Sequence, residues 1–365
     1  MAQSEPTPAI DIAIVNYRGA DDVAVALQAL GAWTRGTVWL VDNSEDAAQA
    51  AALQAIAAGQ PDARVLAAPG NLGFGRGCNL AFAQSTAPFF LLLNPDARMA
   101  QADLLTLARA LQDDPALGGV SPAIYWNDAR SFVMPPAEPQ TPRASLAQPL
   151  LTRSRPRARR QAERQIAETQ RRMAGGRPFA VDFVAGAVLL LRRSAVEAAG
   201  GLFDPDYFMF FEDADLSLRL CAAGHGLAMV PAAAAVHEYR HKPFKAGLMD
   251  TAQQIYFRKH FPRFLRWTGR LRWLGLLAKP LTLVRWFDAV LPADGGLAGF
   301  AARTEGLEIV AVSPSPLLWP AMCRPAGQAR GFDADEWALL EPGWYAALVR
   351  DRRYGDVPRW LYFER

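Results

Sequence analysis

Phe89-Phe-Leu-Leu-Leu-Asn-Pro-Asp96 is an apolar run that ends abruptly at polar residues, and it decides how the rest of the chain is interpreted. A run this short, bounded by a turn signal, is typical of a strand buried on both faces of a parallel sheet. Pro95 cannot donate to a sheet ladder, so the strand is predicted to end at Asn94. Asp96 would then lie beyond the carboxyl end of a central strand, where open parallel sheets bind ligands. A carboxylate there suits a divalent cation carrying phosphate oxygens, or equally well a helix cap for residues 100–114.

Three more strands are predicted upstream of this run. They cover residues 10–17, 37–41 and 64–68. Asp21 or Asp22 is the predicted cap of the first helix, and a glycine-rich loop over 70–77 leads into a helix over 78–84. Alternating strands and helices imply an α/β fold, with a mostly parallel sheet and helices on both faces.

Polar residues follow each predicted strand of this half. They are Asn16 and Tyr17, then Asp42, Asn43 and Ser44, then Asn71, and finally Asn94 and Asp96. Because the carboxyl ends of parallel strands share one edge, we expect these side chains to line a ligand site.

Composition and sequence pattern argue against a disordered, a disulfide-bonded or a membrane-spanning protein. A chain of 365 residues with 51% hydrophobic and 21% charged residues is globular, and its length predicts one large domain plus an appendage. Three widely spaced cysteines predict free thiols in a reducing compartment. No signal peptide is evident, and charges interrupt the apolar stretch 273–291, so a cytoplasmic protein without a conventional spanning helix is expected.

Residues 116–180 differ from their surroundings because they contain many prolines and an arginine-rich run over 153–172. We predict that the prolines break up regular structure and that the run is a mobile, solvated excursion. Such a run could attract phosphates or an anionic membrane. Nucleic acid is not expected as a partner, because no aromatic residues for base stacking are interleaved with the arginines.

A carboxylate-rich helix is predicted from about Glu212 to Gly224. Five aromatic or methionine residues over 207–211 precede it, and such a wall would raise the pKa of a carboxylate such as Asp213, as a general base needs. Acids at a helix start also favour the helix dipole, and Asp215 with Arg219 forms an i,i+4 pair. That structural explanation covers Asp215 better than Asp213.

Two residues on either side of this helix have open roles. Gly186 interrupts an apolar run, which suggests close approach of a ligand or of backbone. His237 follows a predicted strand over 226–236. It is either a structural histidine or a ligand that completes a metal shell with few carboxylates.

These motifs together resemble the inverting family 2 glycosyltransferases, specifically their bacterial rhamnosyltransferase-like branch. The resemblance covers about residues 10–260 and follows the family order. It rests on Ile14-Val-Asn-Tyr17, Val41-Asp-Asn-Ser44, Asn71-Leu-Gly-Phe-Gly-Arg-Gly-Cys-Asn79, Leu93-Asn-Pro-Asp96, Gly186-Ala187 and Phe210-Phe-Glu-Asp-Ala-Asp-Leu-Ser-Leu-Arg219. It implies a single α/β domain of the GT-A type.

The resemblance also implies roles for individual residues. Asp213 would be the catalytic base, Asp42 would face the pyrimidine, and Asp96 would bind Mg²⁺ or Mn²⁺ that bridges the diphosphate. Asn94 replaces the first aspartate of the family's Asp-X-Asp motif, so metal binding would depend on His237 as well. The implied substrate-binding residues are Asn16, Tyr17, Asp42, Asn43, Asn71, Arg76, Asn79, Asn94, Gly186, Glu212 and Arg219.

The implied activity is transfer of a sugar to a bacterial cell-surface glycan or a lipid-linked acceptor. The preferred donor is dTDP-rhamnose, which would supply rhamnose, and the other implied donor is a UDP-sugar. A catalytically inactive sugar-nucleotide or glycan-binding homologue is the alternative, although the presence of both Asp96 and Asp213 argues against it. A nucleotidyltransferase is a third hypothesis, but only Arg18-Gly19 follows the first strand in place of a triphosphate-binding turn.

The chain is therefore divided into a glycosyltransferase domain over 1–260, an amphipathic helical segment over 261–300 and a small module of unknown role over 301–365. Phe264, Trp267, Leu271 and Leu274 share one predicted face of the middle segment, and Arg263, Arg266 and Arg270 share another. This pattern predicts either a helix lying in a membrane interface, and so peripheral membrane contact, or a helix packed on the catalytic domain.

Overall fold

The computed structural model describes residues 8–151, 154–237, 245–273, 286–318, 320–351 and 357–365. Its strands are β1 (Ile10–Asn16), β2 (Val38–Asp42), β3 (Ala63–Ala67), β4 (Phe89–Leu93), β5 (Ala97–Met99), β6 (Leu117–Tyr125), β7 (Phe179–Val181), β8 (Val188–Arg192), β9 (Gly226–His237), β10 (Ala289–Leu291), β11 (Leu307–Ser313), β12 (Met322–Cys323), β13 (Trp344–Asp351) and β14 (Arg359–Glu364). Its helices are α1 (Ala20–Leu30), α2 (Ala47–Ala58), α3 (Phe74–Gln84), α4 (Gln101–Asp113), α5 (Pro142–Leu151), α6 (Arg155–Ala174), α7 (Arg193–Ala198), α8 (Glu212–Ala222), α9 (Lys245–His260), α10 (Pro262–Trp273), α11 (Gly296–Arg303) and α12 (Ala334–Leu339).

A nine-stranded sheet forms the larger part of the molecule, in the order β3-β2-β1-β4-β8-β6-β9-β5 with β7 beside β9. The first four strands are parallel, as predicted, and β6 and β9 point the same way. Three strands, β5, β7 and β8, run in the opposite direction. The α/β fold with a mostly parallel sheet is therefore confirmed.

Strand β4 is buried on both faces, as its uninterrupted apolar sequence predicts. Leu91 packs in one apolar cluster, with residues of α1, α2 and α4. Its neighbours Phe90 and Leu92 point to the other face and pack against residues of α3, α7 and α8. Successive side chains of a strand alternate between faces, so this central strand needs apolar residues at every position.

Three predicted helix starts differ from the structure. The N-cap of α1 is Gly19, and Asp21 and Asp22 lie in the first turn, where acids still favour the helix dipole. Helix α3 begins at Phe74, inside the predicted glycine-rich loop. Ala100 is the N-cap of α4, so Asp96 does not cap that helix.

The prediction for residues 116–180 holds for 134–141, which contain Pro135, Pro136 and Pro139 and form no helix or strand, but it is wrong for β6, α5 and α6. Strand β6 tolerates Pro122 beside a register shift in its pairing with β9. The arginine run forms the 20-residue helix α6, and four of its residues are buried: Ala158, Ala162, Ile166 and Thr169. Their spacing of three or four places them on one helix face, and packing of that stripe holds the helix in place. The abundance of arginine conceals this small apolar stripe in the sequence.

A second sheet, ordered β10-β14-β13-β11-β12, forms the C-terminal part of the molecule. An antiparallel bridge between Val133 and Cys323 joins it to the loop after β6. Strand β10 belongs to this sheet although it lies within the segment predicted to be helical. The proposed divisions at 260 and 300 remain predictions. Within the described ranges, no helix combines the length and apolarity needed to cross a membrane.

Candidate active site

The loop after β1 is built around Asn16, which is fully buried. Its Nδ2 donates to Ser44 Oγ at 3.0 Å and to Gln49 Oε1 at 3.2 Å, while its Oδ1 accepts from the Gly19 N–H at 2.9 Å. The Asn16 side chain therefore links the end of β1 to the residues that follow β2. Sequence analysis missed Ser44 and Gln49 as its partners, since a partner 33 residues away leaves no local signal.

Asn43 connects the end of β2 to the glycine-rich stretch. Its Nδ2 donates to Asn71 Oδ1 and to the Gly73 carbonyl, both at 3.1 Å, and its Oδ1 accepts from the Leu72 N–H at 2.8 Å. Asp42 lies beside it, nearly buried, and accepts a hydrogen bond from the Ser44 N–H at 3.1 Å. The predicted polar residues after the first three strands therefore meet at one edge.

Gly73 and the first turns of α3 pack against residues 203–208 and bond to them. Gly73 has φ +80°, and a Cβ there would lie 2.0 Å from the Phe208 carbonyl oxygen, so only glycine fits. Arg76 Nε donates to the Pro205 carbonyl at 2.7 Å. Asn79 donates to the Phe203 carbonyl at 2.7 Å and accepts from its N–H at 3.0 Å. Arg76 and Asn79 thus hold residues 203–208 in place. Their predicted substrate contacts remain proposals.

Helix α8 begins after two residues with unusual backbone geometry. Phe210 and Phe211 have φ of +72° and +64°, a region that bulky residues rarely adopt and that is found at functional sites. Their rings pack in a cluster with Tyr256 of α9, while Phe208 is 42% exposed. The aromatic segment is therefore anchored on α9 and turns the next two residues, Glu212 and Asp213, into the site.

Asp213 is held by two backbone groups. The Gly186 N–H donates to its Oδ2 at 2.9 Å, and the Ala214 N–H donates to its Oδ1 at 2.8 Å. A Cβ on Gly186 would lie 3.5 Å from that of Asp213, an ordinary contact with a side chain, so the close approach of a ligand predicted at this glycine stays a prediction. Burial raises the pKa of Asp213, and these N–H groups oppose the rise. A raised pKa is what a general base requires.

Glu212 is buried beside Asp213 at the start of α8. Burial, followed by the neighbouring Asp213 charge, raises its pKa to about 8. Its Oε2 has no hydrogen-bond partner among the described residues. Two adjacent carboxylates in a desolvated place cannot both ionise easily, so the pair holds a proton near neutral pH.

Asp215 belongs to a structural network on the same helix. It is fully buried, and it bonds Arg219, Lys259 and His260, each at 2.7 Å. Burial would raise its pKa, but the hydrogen bonds from Lys259, Arg219 and His260 outweigh burial and lower it. Sequence analysis found only Arg219, because Lys259 and His260 lie 44 and 45 residues away.

Arg219 donates further to three backbone carbonyls, those of Ala199, Gly201 and Leu202, at 2.6–2.9 Å. Together with its bond to Asp215, these contacts give it a structural role in fixing the loop before the aromatic segment. Its predicted contact with substrate remains a proposal.

A candidate cation site lies where β4 ends. Because β5 pairs with β9 and places Ala97 opposite His237, Nε2 of His237 lies 3.1 Å from Oδ1 of Asp96. Asn94 Oδ1 is buried without a hydrogen-bond partner in the described part of the chain. A carboxylate, an imidazole and an amide oxygen are donors that Mg²⁺ or Mn²⁺ accepts when phosphates supply the remaining ligands. No group of three His, Cys, Asp or Glu residues that could hold a metal occurs among the described residues, so phosphate oxygens would be needed.

The base candidate and the cation candidate are neighbours through the sheet. Strand β8 pairs with β4 so that Val188 lies opposite Leu93, and the Asn94 N–H donates to the Ala187 carbonyl at 2.8 Å. Ala187 directly follows Gly186, whose N–H holds Asp213. Adjacent strand ends therefore bring the predicted base and the predicted metal ligands to one edge.

One protein-family model and two named bacterial proteins match this chain. The family model described as "Glycosyltransferase like family 2" matches residues 8–267. An N-acetylglucosaminyl-diphospho-decaprenol L-rhamnosyltransferase of Mycobacterium tuberculosis is 29% identical over 255 residues, which cover 65% of this chain and 78% of that protein. The rhamnosyltransferase WbbL of Escherichia coli (strain K12) is 39% identical over 92 residues, or 25% of this chain and 32% of that protein.

Solved structures also align with the chain. A mannosyltransferase from Pyrobaculum calidifontis in complex with GDP-Man and Mn²⁺ has a TM-score of 0.46 and 16% identity, covering 67% of this chain and 60% of its own. GalNAc-T7 with UDP, GalNAc and Mn²⁺ has a TM-score of 0.48 and 12% identity, covering 66% of this chain and 45% of its own.

Proposed function

This chain belongs to the glycosyltransferase-like family 2, and on that premise we propose that it is an inverting enzyme that transfers rhamnose to a hydroxyl of a bacterial glycan. Its fold is of the GT-A type, and the enzyme is a glycosyltransferase. The observation that supports the proposal is the hydrogen bond from Gly186 to Asp213, a carboxylate of raised pKa, because the next residue, Ala187, accepts the Asn94 N–H at the end of β4.

In the proposed reaction, Asp213 accepts the proton of the acceptor hydroxyl as that oxygen attacks the anomeric carbon. The raised pKa of Asp213 strengthens it as a base, and Gly186 and Ala214 orient its oxygens. Asp96, His237 and Asn94 would hold a divalent cation, which would neutralise the departing diphosphate. Asp42 would accept a hydrogen bond from the pyrimidine, with Asn16, Asn43 and Asn71 keeping its loop in shape.

The donor and the acceptor are inferred from the relatives. Both curated relatives are named rhamnosyltransferases, which supports dTDP-rhamnose as donor over a UDP-sugar. The name of the mycobacterial relative includes a diphospho-decaprenol sugar, which supports a lipid-linked acceptor in cell-envelope polysaccharide synthesis. The donor specificity, the acceptor and the linkage are proposals.

A lipid-linked acceptor would bring the enzyme to the inner face of the plasma membrane. Trp267 of α10 is 49% exposed, and Arg263 and Arg266 are exposed as well. Phe264 instead lies half-buried against Phe257, with ring centroids 5.6 Å apart, so part of the predicted apolar face packs on the protein. The side chains of Arg270 and Leu271, and residue Leu274, lie outside the described residues. Peripheral contact through α10 remains a proposal.

A thermal-shift panel of nucleotide diphosphates and nucleotide sugars tests this function. We expect dTDP and dTDP-rhamnose with Mn²⁺ to raise the Tm most, because a ligand that binds only the folded state stabilises it. Asp42→Ala should reduce that shift. An inactive homologue would show the same shift without sugar transfer, whereas the absence of any shift across the panel would refute nucleotide-sugar binding.

A further inference from the structure

Helix α6 divides its arginines between two faces. On the side that contacts the C-terminal module, Arg155 and Arg159 pair with Asp288, and Arg159 also lies 5.2 Å from the ring centroid of Trp360. Together with the buried stripe of Ala158, Ala162, Ile166 and Thr169, these contacts fix the orientation of the helix. The opposite face must therefore point to solvent.

That opposite face carries a row of exposed arginines, the arginine stripe. It consists of Arg157, Arg160, Arg164 and Arg171. Spacings of three, four and seven residues place all four in line along the helix. The stripe runs for about 21 Å at 1.5 Å per residue.

The stripe is largely without counter-charges. Arg171 pairs with Glu168. Within the described ranges, no carboxylate forms an ion pair with Arg157, Arg160 or Arg164. Three arginines are therefore attached in line along a helix that is packed on its other side, and Arg160 Nε also donates to the Pro156 carbonyl at 3.1 Å.

We propose that the arginine stripe docks this enzyme on an anionic lipid surface. A straight row of cations matches a flat array of lipid phosphates, and a guanidinium group can bond two phosphate oxygens at once. The helix backbone is already ordered, so docking restricts mainly the rotamers of the arginine side chains. Each arginine near an anionic leaflet contributes roughly a fivefold gain in partitioning. This docking rests on the proposed function in one respect: it would bring the enzyme to a lipid-linked acceptor. The arrangement of the arginines does not depend on that function.

Sedimentation of the full chain with lipid vesicles tests this surface. We expect the enzyme to bind phosphatidylcholine vesicles that contain phosphatidylglycerol at low salt, and not pure phosphatidylcholine vesicles. Replacing three arginines, by Arg157→Gln, Arg160→Gln and Arg164→Gln together, should reduce binding by at least about tenfold. High salt should release the wild-type enzyme, because screening weakens such attraction.

A matched control removes the same charge elsewhere. Arg35 in the loop before β2, Arg109 on α4 and Arg350 on β13 are exposed, and their triple replacement by Gln should leave binding within about twofold of wild type. An equal loss of vesicle binding in both triple variants would show that only net charge matters and would overturn the proposal. Undiminished vesicle binding by the α6 variant would overturn it as well. Equal or stronger binding of the wild type to single-stranded RNA would also overturn it. Calorimetric binding of dTDP, unchanged in the α6 variant, separates failure here from failure of the proposed function.

Discussion

Nε2 of His237 lies 3.1 Å from Oδ1 of Asp96, although 141 residues separate them in the chain. The antiparallel pairing of β5 with β9 sets this distance, because it places Ala97, the residue after Asp96, opposite His237. Two side chains of the kinds that bind divalent cations, from distant parts of the chain, thus meet beyond the end of β4.

His237→Ala tests the cation site. If His237 binds the metal, its removal should raise the Mn²⁺ concentration needed for half-maximal dTDP binding by at least about tenfold. The measurement is calorimetry of dTDP at increasing Mn²⁺. His225→Ala is the control, since His225 precedes the opposite end of β9. An unchanged Mn²⁺ requirement in His237→Ala would exclude it as a ligand.

Asp213→Asn tests the base. Asparagine keeps the shape of the side chain and an oxygen for one of the two N–H donors, but it cannot accept the proton of a hydroxyl. We expect transfer to fall by roughly a hundredfold or more, with nearly normal donor affinity in calorimetry. Near-normal turnover would show that the base is misassigned, and Glu212 would then be the first alternative.

Asp215→Asn should instead affect stability. The carboxylate is fully buried between Arg219, Lys259 and His260, so its replacement removes the buried negative charge that Arg219 and Lys259 share. We expect the free energy of unfolding, from urea titration, to fall by about 3 kcal/mol while much of the activity is kept. Asp204→Asn is the control, because Asp204 pairs only at the margin of this network with the part-exposed Lys259. A smaller loss for Asp215→Asn than for Asp204→Asn would contradict the assignment.

Glu212→Gln tests the shifted titration. In the folded protein, burial and then the Asp213 charge raise the pKa of Glu212 to about 8, from 4.5 for an ordinary glutamate. Between these values the folded state binds more protons than the unfolded state, so the free energy of unfolding should fall as pH rises. The slope for one such group approaches about 1.4 kcal/mol per pH unit.

Urea unfolding at pH 5 and pH 8 measures that slope. From pH 5 to pH 8, the free energy of unfolding should fall further in the wild type than in Glu212→Gln. The exposed control Glu305→Gln should keep the wild-type slope. Identical slopes in all three proteins would mean that Glu212 titrates as it does in the unfolded chain.

The local sequence predicted much of the site. The apolar run at β4, the three strands before it and the polar residues at their ends all follow from patterns within a few residues. The helix starting at Glu212 and the pair of Asp215 with Arg219 are equally local. The roles of the predicted residues in binding and catalysis stay predictions, because proximity alone does not establish chemistry.

Other features were set by contacts that no short stretch encodes. The direction of β8, the distance between His237 and Asp96 and the pairing of Lys259 and His260 with Asp215 depend on strand register and helix docking over long separations. Helix α6 shows the same limit from the other side. Its arginines predicted a solvated segment, but burial of four small or apolar residues against the rest of the molecule made it an ordered helix. Local propensities act over a few residues, whereas burial depends on which distant surfaces the folded chain presents, so only the tertiary structure decided these points.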